Sequence, residues 1–156
     1  MKISECMKRA VVSVPASATI REAASIFVAR HIGLLPVVDE KSRAIGALGL
    51  RDLLSLALPS FVNLVEDVDF VHDFGAVEST RPTAVVLDRP VTTLMRLVKS
   101  VNEDCGLLRA YALMIKHELH DLPVVKEDGT LVGIASRVDI GVAIISSWQP
   151  DGPTKQ

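Results

Sequence analysis

Ser136 and Asp139 stand three residues apart in the stretch GIASRVDIG, just behind an apolar run that ends at Gly133. Two kinds of chemistry fit that spacing. An S-x-x-D box starts a helix, each side chain satisfying a free backbone N–H of the first turn. The same residues, placed where a strand gives way to a helix, also direct a hydroxyl, a carboxylate and bare amides into one crevice, which suits a nucleotide. A carboxylate has about four lone-pair sites, so it can cap and contact a ligand at once.

Other reactive constellations are thin. His117 and His120 in HELH are three apart, whereas the zinc motif H-E-x-x-H needs its histidines four apart on one helical face. Asp69, His72 and Asp73 fall at i, i+3 and i+4, but an acidic amphipathic helix is ordinarily just solvated on its polar face, and no metal is expected. Cys6 and Cys105 stand alone without a C-x-x-C partner and read as reduced thiols. Triad order, paired carboxylates and a phosphate-cradling glycine loop are all missing from the sequence, so the chain is not expected to be an enzyme.

The elements that must position Ser136 and Asp139 come from an internal repeat. GLLPVVDEKSRAIGALGLRDLL aligns without a gap to HDLPVVKEDGTLVGIASRVDIG: Pro36 with Pro123, Gly46 with Gly133 and Asp52 with Asp139, each pair 87 residues apart. Each copy predicts a short strand (VVSV or LVKSV), then a helix with apolar residues at helical spacing. Those residues are Ile20, Ala23, Ala24 and Phe27 in copy one, and Leu107, Ala110, Tyr111 and Met114 in copy two. A second strand, a charged turn, a third strand and a closing helix complete a βαββα unit. The fold class is therefore α/β (α+β), with two pseudo-symmetric units packed sheet to sheet, because neither buries its sheet alone.

The expected divisions are residues 1–56, a segment 57–89, residues 90–148 and a tail 149–156. In the 57–89 segment, Phe61, Leu64, Val65, Val68 and Val71 predict an amphipathic helix, followed by an extended loop through GAVESTRPTAVVLDRP.

A net charge of -2 gives no broad attraction for a polyanion, so nucleic acid is not an expected partner. The most apolar window, LLSLALPSFVNLV, is too short and too interrupted to span a bilayer, so no membrane insertion is expected and the chain reads as cytoplasmic. A mean hydropathy of +0.34 is high for a small soluble monomer, which implies apolar surface buried between subunits.

With both LPVV strands and the signature G-h-x-[ST]-x-x-[DN] on the page, the sequence resembles a tandem pair of cystathionine-β-synthase (CBS) domains, a Bateman module. Copy two carries the signature in full from Gly133 to Asp139, while copy one has Gly49 where the hydroxyl belongs. The resemblance implies a non-catalytic regulatory module binding an adenosyl ligand (AMP, ADP, ATP or S-adenosylmethionine), a homodimer, and a regulated partner it does not identify. It also implies that Asp139 holds a ribose, with Ser136 toward a phosphate or ribose oxygen, Arg137, Lys99 and His120 toward the phosphates, and Ile134, Val98, Leu122 and Pro123 as apolar walls beside Gly133. Asp52 would be the weaker counterpart, because copy one lost its hydroxyl, and the occupied cleft is expected to be the one that kept its serine. The rival expectation is a dimerisation scaffold whose clefts bind nothing.

Overall fold

The computed structural model describes residues 1–58 and 81–148. The expected central helix with Phe61 and Phe70, the Asp69, His72 and Asp73 group and the tail 149–156 lie outside the described residues.

The first unit comprises β1 (Val14–Pro15), α1 (Ile20–Arg30), β2 (Leu34–Val38), β3 (Ala44–Gly49) and α2 (Leu50–Leu54). After the short α3 (Ala84–Leu87) the second unit repeats it as β4 (Val101–Asn102), α4 (Leu107–Lys116), β5 (Asp121–Val125), β6 (Leu131–Ser136) and α5 (Arg137–Ser146). Two three-stranded sheets result, ordered β1-β2-β3 and β4-β5-β6, each with its first pair parallel and its second antiparallel. The repeat extends to the backbone. His31 and Glu118 end their helices at φ 51° and 54°, and Ser42 and Gly129 turn at φ 59° and 86°, both pairs at the 87-residue spacing.

Local chemistry explains the helices. Thr19 and Glu22 cap α1 reciprocally, at 3.1 Å from the Glu22 N–H to Thr19 Oγ1 and 2.8 Å from the Thr19 N–H to Glu22 Oε2. The buried stripe is Ile20, Ala23 and Phe27 in α1 and Leu107, Ala110 and Met114 in α4, at i, i+3 and i+7. Of the other two expected stripe residues, Ala24 is half-buried and Tyr111 is exposed.

Two expectations need correction. The first strands shrink from the expected four or five residues to two, because the chain just before them pairs with the other unit instead: Lys8 bridges Ile134, and Arg96 bridges Ala47. The expected loop before copy two contains α3, started by Thr83 Oγ1 accepting from the Val86 N–H, and leads into a 3-10 turn at Val91–Thr93 just after it.

That crossing is reciprocal, and it fixes the site. The Ile3 N–H bonds the carbonyl of Cys105 at 2.8 Å and the Val91 N–H bonds that of Ala18 at 2.8 Å, so residues 2–8 cover the second unit and residues 90–96 the first. Ile3 and Met7 belong to the core with Leu122, Val124 and Ile140, while Val91 and Met95 pack with Phe27, Leu35 and Leu48. Each apolar core is completed by the other unit's leading segment, which makes the two units one packed body. Gly46 and Gly133 permit it: a Cβ on Gly46 would lie 3.0 Å from the Arg96 carbonyl oxygen, and one on Gly133 would collide with the Met7 sulfur and lie 3.2 Å from the Lys8 carbonyl oxygen.

Candidate functional site

Each crossing segment delivers a cation to the signature aspartate of the opposite unit. Arg96 Nε lies 2.7 Å from Asp52 Oδ1, and Lys8 Nζ lies 3.8 Å from Asp139 Oδ2. These are equivalent pairs, Lys8 and Arg96 being 88 residues apart because the first crossing segment is one residue longer.

The capping box at Ser136 forms as its spacing demands. The Asp139 N–H donates to Ser136 Oγ at 3.1 Å, and the Ser136 N–H and hydroxyl donate to Asp139 Oδ2 at 2.9 and 2.7 Å. The hydroxyl is thus engaged as donor and acceptor inside the box, with the phosphate or ribose oxygen that the resemblance offers it as a competing partner. Asp139 Oδ1 accepts no hydrogen bond among the described residues. Partial burial works against ionisation of Asp139, but the backbone and hydroxyl hydrogen bonds of Ser136, with Lys8 nearby, hold its carboxyl below the ordinary range. In the first unit only half the box survives: the Gly49 N–H donates to Asp52 Oδ2 at 2.7 Å, and Asp52 Oδ1 takes Arg96.

Two clefts lie between the units. The larger, about 480 Å³, is lined by Gly49, Leu50 and Arg51 of the first unit, Arg96 to Lys99 of the crossing segment, and His117 to Asp121 of the second unit. The smaller, about 210 Å³, is lined by Lys8, Ala10, Val11 and Val12, by His31 to Leu34, and by Asp121 and Ile134. Gly33, Leu34 and Asp121 border both.

The residues grouped around Asp139 from sequence are therefore divided. Val98, Lys99 and His120 line the larger cleft, on the Asp52 side, because the segment before β4 crosses to the first unit. Ile134 lines the smaller cleft, the one bordered by Lys8 next to Asp139. Leu122 is fully buried in the core and reaches neither cleft, since its side chain points to the opposite face of β5. Pro123 is also buried and borders neither cleft, lining instead a small hollow of about 70 Å³ beside Val98. Gly133 is occupied with Met7. Arg137 is engaged too: its Nε donates to the Leu119 carbonyl at 2.7 Å and its N–H to the His120 carbonyl at 2.9 Å, so it braces the turn carrying His117 and His120.

Sequence reading missed Lys8, Arg96, Arg51 and Asp121. A signal for the first two existed, since Met7-Lys8 and Met95-Arg96 repeat the same dipeptide pattern, but the extra residue breaks the 87-residue register.

Comparison with known proteins accords with this architecture. The CBS domain family model matches residues 3–58 and 79–145. An uncharacterised 17.7 kDa protein of Acidianus ambivalens is 28% identical over 145 residues, which cover 92% of this chain and 73% of that one. The solved structure of CBSX2 in complex with AMP superposes with a TM-score of 0.70 at 23% identity, over 94% of this chain and 98% of that one. The CBS domain pair of protein MJ0100, in complex with 5′-methylthioadenosine and S-adenosyl-L-methionine, gives 0.68 at 18% identity over the same shares.

Proposed function

Because the chain belongs to the CBS domain family, with two motifs packed into one body, we propose that it is a regulatory module that binds an adenosyl ligand between its motifs and signals occupancy to a partner protein. The larger cleft carries this reading. Its volume falls in the ordinary range for small-molecule sites, roughly 300–1,000 Å³, and Arg51, Arg96, Lys99, His117 and His120 converge on it beside apolar Leu34, Leu50, Leu97 and Val98. Apolar walls suit an adenine ring, and the cations suit a phosphate. The smaller cleft, at about 210 Å³, is tight for a nucleotide, although Asp139 Oδ1 remains available for a ribose. We therefore assign the first ligand to the Asp52 cleft, against the preference that the intact Ser136 box had suggested. The ligands held by CBSX2 and MJ0100 are consistent with the adenosyl class.

Binding in either cleft can influence a partner only as far as the ligand prefers one arrangement of the units over another. The same reading has two copies associating through apolar helix faces that the fold leaves exposed, Leu108, Tyr111 and Ile115 on α4 and Val138, Val142 and Ile145 on α5. One observation favours the alternative, a scaffold with empty clefts: both oxygens of Asp52 already have partners.

A thermal-shift panel with AMP, ADP, ATP and S-adenosylmethionine separates the two. At a ligand concentration about 100 times Kd, one site adds about 2.7 kcal/mol, several degrees in Tm for a chain of this size. No shift with any of them at millimolar concentration selects the scaffold.

A further inference from the structure

Leu34 and Asp121 open the central strands of the two units, 87 residues apart, and each borders both clefts. The internal symmetry thus puts them on the wall the clefts share, and there the repeat is chemically broken, with a leucine in one copy and a carboxylate in the other. Asp121 Oδ2 would lie 3.1 Å from a Cβ placed on Gly33, so the carboxylate is seated against bare backbone of the first unit. A charge on that wall is felt by a ligand in either cleft. Half-buried as it is, Asp121 is screened less than a surface carboxylate, and burial pushes its carboxyl above the ordinary range while His120 and Lys8 pull it down and Asp139 pushes it up.

Resting on the adenosyl reading above, we propose that Asp121 is the specificity-determining residue of both clefts: its charge opposes polyphosphate tails, so the preferred ligand is an adenosyl compound of low negative charge, AMP or a sulfonium nucleoside, rather than ATP. Around the larger cleft Arg51, Arg96 and Lys99 face Glu118 as well as Asp121, so the positive charge suits a first phosphate, and each further phosphate adds negative charge that Asp121 repels.

The test is calorimetric titration of the full chain and of Asp121→Asn with AMP, ADP and ATP at low ionic strength. The gain in affinity on substitution is expected to grow along the series and to reach about fivefold or more for ATP, the size of one partly screened charge–charge contact. Asp121→Glu is expected to keep the wild-type order of affinities, and Asp121→Ser to reproduce the Asn result with a different side-chain volume. Equal gains for all three nucleotides, no change in either uncharged variant, or a Glu variant that behaves like Asn would overturn the proposal. Absence of binding by all three nucleotides and by S-adenosylmethionine, in both wild type and Asp121→Asn, would overturn the adenosyl reading, and this inference with it.

Discussion

Arg96, carried across from the second unit, lies 2.7 Å from Asp52 of the first and leaves the Gly49 N–H as the partner of the other carboxylate oxygen. Lys8 makes the equivalent but looser approach to Asp139 at 3.8 Å. At both clefts the signature aspartate sits behind a lining cation from the crossing segment, so on the proposed function a ligand that reaches the carboxylate must rearrange the ion pair.

Arg96→Ala tests that link. The Arg96 side chain is about half exposed (52%), so the pair contributes little to stability, at most about 1 kcal/mol. The larger cleft loses a cation while Asp52 Oδ1 is released. The expected outcome is a fall in ATP affinity relative to S-adenosylmethionine of about fivefold, read by competition calorimetry. An unchanged ratio would mean that Arg96 does not face the ligand.

The unequal caps predict unequal costs. Ser136→Ala removes the hydroxyl that bonds the Asp139 N–H and carboxylate, and is expected to cost about 1 kcal/mol in urea unfolding. Gly49→Ser, which would complete the box in copy one, is expected to gain only a few tenths of a kcal/mol, since glycine is already a fair N-cap. A loss of more than about 1 kcal/mol in Gly49→Ser would show that the equivalence of the two helix starts fails.

Gly133→Ala is expected to be costlier than either. Its new methyl would meet the Met7 sulfur and stand 3.2 Å from the Lys8 carbonyl, which belongs to the crossing backbone. Overpacking of this kind costs about 1–3 kcal/mol. Met7→Ala opens a core cavity of its own, so the informative quantity is the cost of Gly133→Ala in a Met7→Ala background, which should be smaller than in the wild type and leave the fraction due to the Lys8 carbonyl; an equal cost would place the strain elsewhere.

Stability should also depend on pH in opposite senses at two carboxyls. Asp139 titrates below its ordinary value in the folded chain, so its contribution is complete above the unfolded carboxylate range, near about pH 4, and is lost as pH falls through the folded value. Asp121 is raised by burial, so the folded chain holds its proton more tightly and stability from this group rises as pH falls through its folded value. Urea midpoints should therefore show Asp139→Asn costing more at pH 6 than at about pH 3, and Asp121→Asn gaining more at pH 7 than at about pH 4.5. A pH-independent effect at either position would contradict the assignment.

Much of this fold is legible because the repeat keeps one spacing through Pro36 and Pro123, Gly46 and Gly133, and Asp52 and Asp139, and periodicity within each copy separates strands from helices. The Ser136 box was legible for the same local reason. What stayed hidden is long-range. Nothing within VVSV or LVKSV says that the residues before them pair with the opposite unit, so the sequence alone does not show that Val98, Lys99 and His120 line the larger cleft, on the Asp52 side. The resemblance offers Leu122 as a wall, but alternation along β5 tells that neighbours face opposite ways and not which face is the core, where the Leu122 side chain lies. Asp121 was hidden because its importance comes from symmetry: only the folded chain brings it beside Gly33 on a wall common to both clefts.

The most direct measurement is calorimetric titration of AMP into the wild type, Asp52→Ala and Asp139→Ala. Hydrogen bonds to a charged group contribute about 1.5–3 kcal/mol, so the account predicts that Asp52→Ala weakens the tighter binding event about tenfold or more while Asp139→Ala leaves it nearly unchanged. Loss of that event in Asp139→Ala with retention in Asp52→Ala, or no heat of binding in the wild type, would contradict it.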